Sequence, residues 1–161
     1  MLRLAIRDLT VLVLSALLWR ADSARRLDGG ALALSIGIAT GIATALCGFL
    51  LHEWGHLVAS LATGSAVDYP KKLISPLLFH FDSAKNTRPQ FFWMSAGGYV
   101  ASLIGMIGIV TLCPLDALSG KVALVLGALG MLATLVLELP ITWRVYRGGP
   151  LPMGVAYRPH E

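Results

Sequence analysis

Residues 29–56 have the sequence GGALALSIGIATGIATALCGFLLHEWGH, an apolar run that ends in two histidines with a glutamate between them. The run from Gly29 to Leu51 is longer than the roughly 20 apolar residues that a helix needs to cross a bilayer. We expect the helix to continue through the HEWGH segment, so that residues 29–63 form one element. This stretch predicts a membrane-embedded helix with ionisable side chains near one end.

The composition of the whole chain agrees with this interpretation. Of the 161 residues, 56% are hydrophobic and 14% are charged, whereas about a quarter of the residues in a soluble domain are charged. Residues 91–112 and 121–143 form two further apolar runs of spanning length. The sequence therefore predicts a single all-α polytopic membrane domain over residues 1–161, with a core of three helices and about four transmembrane helices in total.

Residues 1–28 contain the candidate for the additional helix. The apolar run from Leu9 to Trp19 is short, and it reaches spanning length only if Leu2 to Asp8 is included. The alternatives are a helix that lies in the membrane interface or a signal peptide. We expect a first transmembrane span here, because the segment around Ala21 to Ala24 is a poor match to a signal-peptidase site.

The basic residues predict an orientation, because cytoplasmic loops of membrane proteins are enriched in Lys and Arg. Four spans would place nine basic residues on one side and four on the other. The nine are Arg3, Arg7, Lys71, Lys72, Lys85, Arg88, Arg144, Arg147 and Arg158, and the four are Arg20, Arg25, Arg26 and Lys121. We therefore expect both termini, the loop of residues 64–90 and the tail of residues 144–161 in the cytoplasm. No basic run is interleaved with aromatic residues, which leaves no case for nucleic-acid binding.

Two smaller features complete the organisation of the chain. Within the cytoplasmic loop, Leu73 to Phe81 is predicted to form a short strand or a re-entrant stretch interrupted by Pro76. Its apolar pattern would let an extended peptide join it as an added strand. Cys47 and Cys113 lie in or beside apolar runs and are expected to be free thiols.

The HEWGH segment carries the chemistry. Residues four apart share one helix face, so His52 and His56 can present two imidazoles to one metal ion, and imidazole nitrogens suit zinc. Glu53 is the candidate catalytic base, since it can accept a proton from an attacking water. The alternative is a hydrated pair of histidines at the cytoplasmic end of a helix, without a metal.

A catalytic zinc usually has three protein ligands, so a third must come from elsewhere in the chain. Our first candidate is Glu138, which precedes Pro140 near the cytoplasmic end of the last span. Its alternatives are a carboxylate that reaches toward the membrane interface or one that pairs with Arg144. The candidates ranked after Glu138 are Asp82, His80 and Asp116, with His160 expected to be a solvated tail residue.

These residues resemble the site-2 protease family of intramembrane zinc metalloproteases, including its small bacterial members. The resemblance covers Gly29 to Trp143 and rests on HEWGH, on Gly98-x-x-x-Ser102 and on an acid beside a proline in the last span. It implies a bound Zn²⁺ with His52 and His56 as ligands and Glu53 as the base. The family's third ligand is an Asp in an Asp-Gly pair after a proline, whereas Glu138 here precedes Pro140.

The resemblance also implies a function. We expect an intramembrane zinc metallopeptidase that hydrolyses a membrane-protein or peptide substrate near the cytoplasmic face, as an integral protein of a bacterial inner membrane. The main alternative is a non-enzymatic scaffold, descended from such a protease, that assembles with partner membrane subunits. A protein that moves or senses zinc is a third hypothesis, but the spans offer few further ligands for it.

Overall fold

The chain is mostly helical, with one small sheet. The structure is a computed structural model and describes residues 1–154 and 156–157. The helices are α1 (Leu2–Arg25), α2 (Gly30–Ala62), α3 (Arg88–Leu112), α4 (Leu118–Leu137) and α5 (Leu139–Tyr146), and the strands are β1 (Val67–Asp68) and β2 (His80–Phe81).

Three helical segments of the described chain are long and apolar enough to cross a membrane, as the apolar runs predicted. They are Gly30–Ala62, Arg88–Leu112 and Leu118–Tyr146, the last comprising α4 and α5 together. Helix α1 has 24 residues but is not one of the three, because charged side chains interrupt its apolar run near both ends. Cys47 and Cys113 are free, as expected.

The last of these segments is interrupted at Glu138. Helix α4 ends at Leu137, Glu138 adopts a φ of −98° and a ψ of −38°, and Pro140 follows near the start of α5. Proline has no backbone N–H to donate to the carbonyl oxygen four residues earlier and its ring crowds that turn, but it is tolerated in the first turn of a helix. Pro140 therefore explains why one helix ends and another begins in this turn.

The chain divides into two compact units, which we describe separately. One comprises Met1, Leu51–Ala101 and Ala133–Glu161, and the other comprises Leu2–Leu50 and Ser102–Leu132. The expectation of a single membrane domain stays a prediction.

In the first unit, α2 and α3 touch through their backbones. A methyl group added to Gly55 would collide with the carbonyl oxygen of Gly97, and one added to Gly97 would collide with the carbonyl oxygen of Gly55. Small residues at such crossings let two helices approach closely. The glycine of HEWGH, Gly55, therefore allows the close packing of α2 against α3.

The loop of the first unit is organised by a two-stranded antiparallel sheet. Val67 pairs with Phe81 and Asp68 with His80. The Asn86 side chain accepts a hydrogen bond from the backbone N–H of Ala66 at 2.7 Å and donates one to its carbonyl oxygen at 2.7 Å. Because Asn86 lies just before α3, these bonds connect the start of the sheet to the start of that helix.

The predicted strand at Leu73 to Phe81 is only partly present. Its last two residues, His80 and Phe81, form β2, whereas residues 73–79 form turns and irregular chain. Pro76 lacks an N–H, and the N–H of Leu78 is bonded to a glutamate side chain. Neither residue can therefore donate a backbone hydrogen bond to a neighbouring strand.

In the second unit, α1 presents a polar face to its neighbours. The Asp22 carboxylate is buried, with 5% of its surface exposed. It accepts hydrogen bonds from Ser119 Oγ at 2.8 Å and from Arg26 at 3.0 Å. The Trp19 indole N–H of α1 donates to the Thr44 hydroxyl of α2 at 2.9 Å. Hydrogen bonds of this kind connect α1 to the apolar helices without leaving buried charge unpaired.

Replacing Asp22 by Ala should destabilise the protein by about 2–3 kcal/mol, since it leaves the Ser119 hydroxyl and the Arg26 guanidinium without their shared acceptor. Thermal unfolding in detergent micelles measures the change. The matched control is Asp28→Ala, because Asp28 is exposed and its loss should shift the unfolding temperature little. Equal shifts for the two variants would show that the Asp22 contacts do not stabilise the fold.

Candidate metal centre

His52 and His56 are held in fixed orientations by the backbone of α3. Both side chains are buried, and they lie one helical turn apart on α2. The Nδ1 atom of His52 is 3.1 Å from the carbonyl oxygen of Gly98, and the Nδ1 atom of His56 is 2.8 Å from that of Met94. Since a carbonyl oxygen can only accept, each Nδ1 must be the donor.

This assignment determines what the other ring nitrogens can do. A neutral imidazole protonated at Nδ1 carries its lone pair on Nε2. The two Nε2 atoms lie 3.0 Å apart, so two lone pairs converge without a proton to share between neutral rings. A cation at this point removes the repulsion, and histidines that bind metals usually donate their other N–H to a carbonyl or a carboxylate in the same way.

Glu138, the first candidate for the third ligand, lies beside the two histidines. One carboxylate oxygen lies 3.0 Å from His52 Nε2 and the other lies 3.3 Å from His56 Nε2. The break between α4 and α5 occurs at this residue, and the Glu138 side chain is 30% exposed. Two histidines are thus enclosed, while the carboxylate leaves the cluster open on one side.

The three side chains are close enough together to hold one metal ion. Bonds of 2.0–2.1 Å in a tetrahedron put the ligand atoms about 3.3 Å from one another. The two Nε2 atoms here lie 3.0 Å apart, His52 Nε2 lies 3.0 Å from one Glu138 oxygen, and His56 Nε2 lies 3.3 Å from the other. Among the described residues these three form the group of His, Cys, Asp and Glu side chains that could hold a metal ion. Without a metal, the arrangement needs a proton on one Nε2, which would pair an imidazolium with Glu138.

Gly98 is required for this geometry. A Cβ atom at position 98 would overlap the imidazole ring of His56. Gly98 also supplies the carbonyl oxygen that accepts from His52. The absence of a side chain at one residue therefore makes room for one histidine while its backbone orients the other.

Glu53 lies beside this cluster on the same helix and is anchored by the loop. Its carboxylate is buried, and its Oε2 accepts a hydrogen bond from the backbone N–H of Leu78 at 3.1 Å. Leu78 and Phe79 are themselves buried. The segment before β2 thus covers Glu53 and orients its carboxylate, a role that the apolar pattern of Leu73 to Phe81 did not predict.

Tyr157 is a second neighbour that the sequence did not reveal. Its ring centroid lies 6.2 Å from that of Phe91. Burial raises the pKa of Tyr157 to about 12, and the negative charges of Glu138 and Glu53 act in the same direction. The phenol therefore keeps its proton well above pH 7.

The lower-ranked candidates lie outside the cluster. Asp82 follows β2, where its Oδ1 accepts from the backbone N–H of Ala84 at 3.0 Å and its Oδ2 lies 3.3 Å from Lys85 Nζ. Burial acts to raise the pKa of Asp82, but these contacts outweigh it and hold the pKa below its ordinary value. His80 pairs with Asp68 across the sheet. Asp116 is exposed in the turn before α4.

His160 lies outside the described residues, so the structure does not test its expected place in the tail. The sequence also did not indicate that the carbonyl oxygens of Met94 and Gly98 accept hydrogen bonds from the two histidines. Their spacing of four on α3 matches the spacing of the histidines on α2, which is the one signal in the sequence that could have indicated them.

No protein-family model, curated protein or solved structure matches this chain.

Replacing Gly98 by Ala should displace the His56 ring and reduce the affinity for a divalent metal by about 10-fold to 100-fold, the range seen when residues that orient metal ligands are changed. Titration of the metal-free protein in detergent with Zn²⁺ measures the effect. Gly108→Ala is the matched control, because a Cβ atom there meets nothing within 4 Å. Unchanged affinity in Gly98→Ala would contradict the role assigned to Gly98.

Proposed function

We propose that this chain is an intramembrane zinc metallopeptidase of the site-2 protease type. It would hydrolyse a peptide bond of a membrane-embedded substrate near the cytoplasmic face. The observation that carries the proposal is the convergence of His52, His56 and Glu138 within one hydrogen-bond distance of each other, beside a buried glutamate. The resemblance of the HEWGH segment to that family adds to this observation.

His52, His56 and Glu138 would hold the zinc ion. Bound there, zinc would polarise the scissile carbonyl and lower the pKa of a coordinated water to about 7. Three protein ligands leave a fourth position open, which is typical of catalytic rather than structural zinc sites. The partial exposure of Glu138 agrees with an open position.

Glu53 has the properties of a general base. Helix α2 places it next to His52, and the Leu78 N–H restrains one of its oxygens. It would accept a proton from the attacking water as the oxygen bonds to the carbonyl carbon. It would then give that proton to the leaving nitrogen as the C–N bond breaks, which returns the carboxylate to its starting state.

The substrate class follows from the surroundings of the site. Two of its ligands lie in a helix long and apolar enough to span a membrane, and the third lies in another such segment. A substrate segment inside a bilayer is helical because its backbone groups have no other partners. It would have to unwind locally to present its carbonyl, which is easiest near the membrane surface.

We also propose that α1 is a fourth transmembrane helix. Its 24 residues would extend about 36 Å at 1.5 Å per residue, more than the roughly 30 Å of the hydrocarbon core. Its exposed side chains include Leu9, Val13 and Leu17, whereas Asp22 is buried. Apolar groups outward and polar groups inward suit a helix that faces lipid. With four spans, the distribution of basic residues favours cytoplasmic termini in a bacterial inner membrane.

The second candidate is a non-enzymatic membrane scaffold that keeps the zinc site. The order of the acid and the proline, with Glu138 before Pro140, favours it because the site-2 proteases have an Asp after the proline. Such a protein would bind zinc and partner membrane subunits without hydrolysing peptides.

Replacing Glu53 by Gln should reduce kcat by about 10²-fold to 10⁴-fold, the usual contribution of a general acid–base group. Cleavage of model transmembrane peptides by the purified protein in proteoliposomes measures the rate. Zinc content, measured by mass spectrometry of the metal, should stay near one per chain because the substitution removes no proposed ligand. Asp28→Asn, an exposed change of acid to amide, is the matched control and should keep full activity.

Each candidate function predicts a different result. His52→Ala and His56→Ala should lose both zinc and cleavage if the proposal is right. Stoichiometric zinc with no cleavage across a broad panel of transmembrane peptides would instead favour the scaffold. Absence of zinc from the purified wild-type protein and from protein supplied with excess zinc would refute both.

A further inference from the structure

The last described residues of the chain are attached along the loop that orients Glu53. We call residues 148–157 the strap; the structure describes all of them except position 155. Arg88 donates to the carbonyl oxygens of Gly148 at 2.7 Å and Gly149 at 3.1 Å. Ser83 Oγ donates to the carbonyl oxygen of Pro152 at 2.7 Å, and this bond is buried.

The strap then reaches the outer edge of the sheet. Asp82 donates its N–H to Ala66 on the β1 side, whereas Phe81 donates its N–H to the carbonyl oxygen of Ala156 at 3.0 Å. Successive N–H groups of a strand point to opposite edges. The Phe81 bond therefore lies on the edge of β2 that β1 does not use, and the strap occupies it.

We propose that the strap is an autoinhibitory segment that occupies the edge of β2 where an extended substrate peptide would bind. This inference rests on the proposed peptidase function and adds its regulation. Substrate must displace the strap before a scissile bond can reach the candidate metal centre.

The chemistry of the anchoring bonds supports a displaceable occupant. In each of them the strap contributes a backbone carbonyl oxygen, and the donors belong to Phe81, Ser83 and Arg88. Any extended peptide offers the same carbonyl groups, so recognition of this kind does not depend on side chains, as in other cases of strand addition. A peptide from the substrate can therefore take over the bonds that the strap makes.

The position of the strap explains why its presence would inhibit. Its Tyr157 packs near Phe91 and lies close enough to Glu138 and Glu53 for their charges to affect it. The loop to which the strap is bonded also carries Leu78, whose N–H orients Glu53. A segment tethered to its own site also competes at an effective concentration in the millimolar range. Most molecules would therefore have the strap bound at the edge of β2 when a substrate arrives.

The test weakens the strap without touching the proposed ligands or base. Ser83→Ala combined with Arg88→Gln removes the side-chain anchors and leaves the Phe81 N–H in place. The control combines Ser35→Ala with Arg20→Gln, since the Ser35 hydroxyl donates to the Ala31 carbonyl oxygen of its own helix and Arg20 is exposed. Cleavage of a transmembrane peptide with an extended cytoplasmic flank is followed in proteoliposomes.

Loss of these anchors should lower KM by about fivefold or more with kcat unchanged, because a larger fraction of molecules has a free edge. A synthetic peptide of residues 148–157, GGPLPMGVAY, added at millimolar concentration should restore the wild-type KM. A KM equal to that of the control, or a synthetic peptide without effect, would overturn the proposal.

A second measurement separates this proposal from the peptidase assignment. Binding of a fluorescently labelled form of the substrate peptide is compared between Glu53→Gln protein and Glu53→Gln protein that also carries Ser83→Ala and Arg88→Gln, which we call the strap changes. If no form of the protein cleaves, the peptidase assignment fails. Fivefold tighter peptide binding by the protein with the strap changes would still support the autoinhibitory role of the strap. Equal binding by the two proteins would overturn that role. If the altered protein does not fold, limited proteolysis of the wild-type chain decides: substrate peptide should expose the strap to cleavage, and continued protection while peptide is bound overturns the proposal.

Discussion

The site depends on two helix backbones that touch at glycine. The carbonyl oxygens of Met94 and Gly98 each receive a hydrogen bond from an imidazole of α2, which requires α2 to approach α3 closely. Gly55 and Gly97 allow that approach, and Gly98 makes room for the His56 ring. When both Nδ1 atoms donate to α3, the two Nε2 lone pairs converge, and the packing of two helices defines the point between them.

The rest of the cluster is built by irregular chain. Glu138 reaches the histidines from a break in the last apolar segment, and Glu53 is oriented by a loop N–H rather than by a helix or a sheet. Helix α2 thus holds the two histidines at a fixed spacing, while a helix break positions Glu138 and a loop N–H orients Glu53. The strap is a third irregular segment in the same unit.

The described residues include two sets of polar side chains that differ in how their hydrogen bonds are satisfied. Asp22, Ser119 and Arg26 form one set in the second unit, and the histidine cluster forms another in the first. An unpaired charge away from water would cost far more than either set contributes. The buried Asp22 is therefore explained by its hydrogen bonds alone, without a catalytic role. In the histidine cluster, by contrast, two Nε2 atoms and a carboxylate come together, and each offers a lone pair and no proton.

The amino-acid sequence was enough for the apolar helices, because about 20 apolar residues have few other stable states in a bilayer, and for the shared face of His52 and His56, because residues four apart on a helix are neighbours. It also ranked Glu138 first among the possible partners. Only the tertiary structure could bring Glu138 against His52, since 86 positions separate them along the chain. The conformation of Leu73 to Phe81 could not be predicted from local sequence for the same reason. The N–H of Leu78 binds the Glu53 side chain of α2, and the pattern of apolar residues in the loop contains no information about that partner.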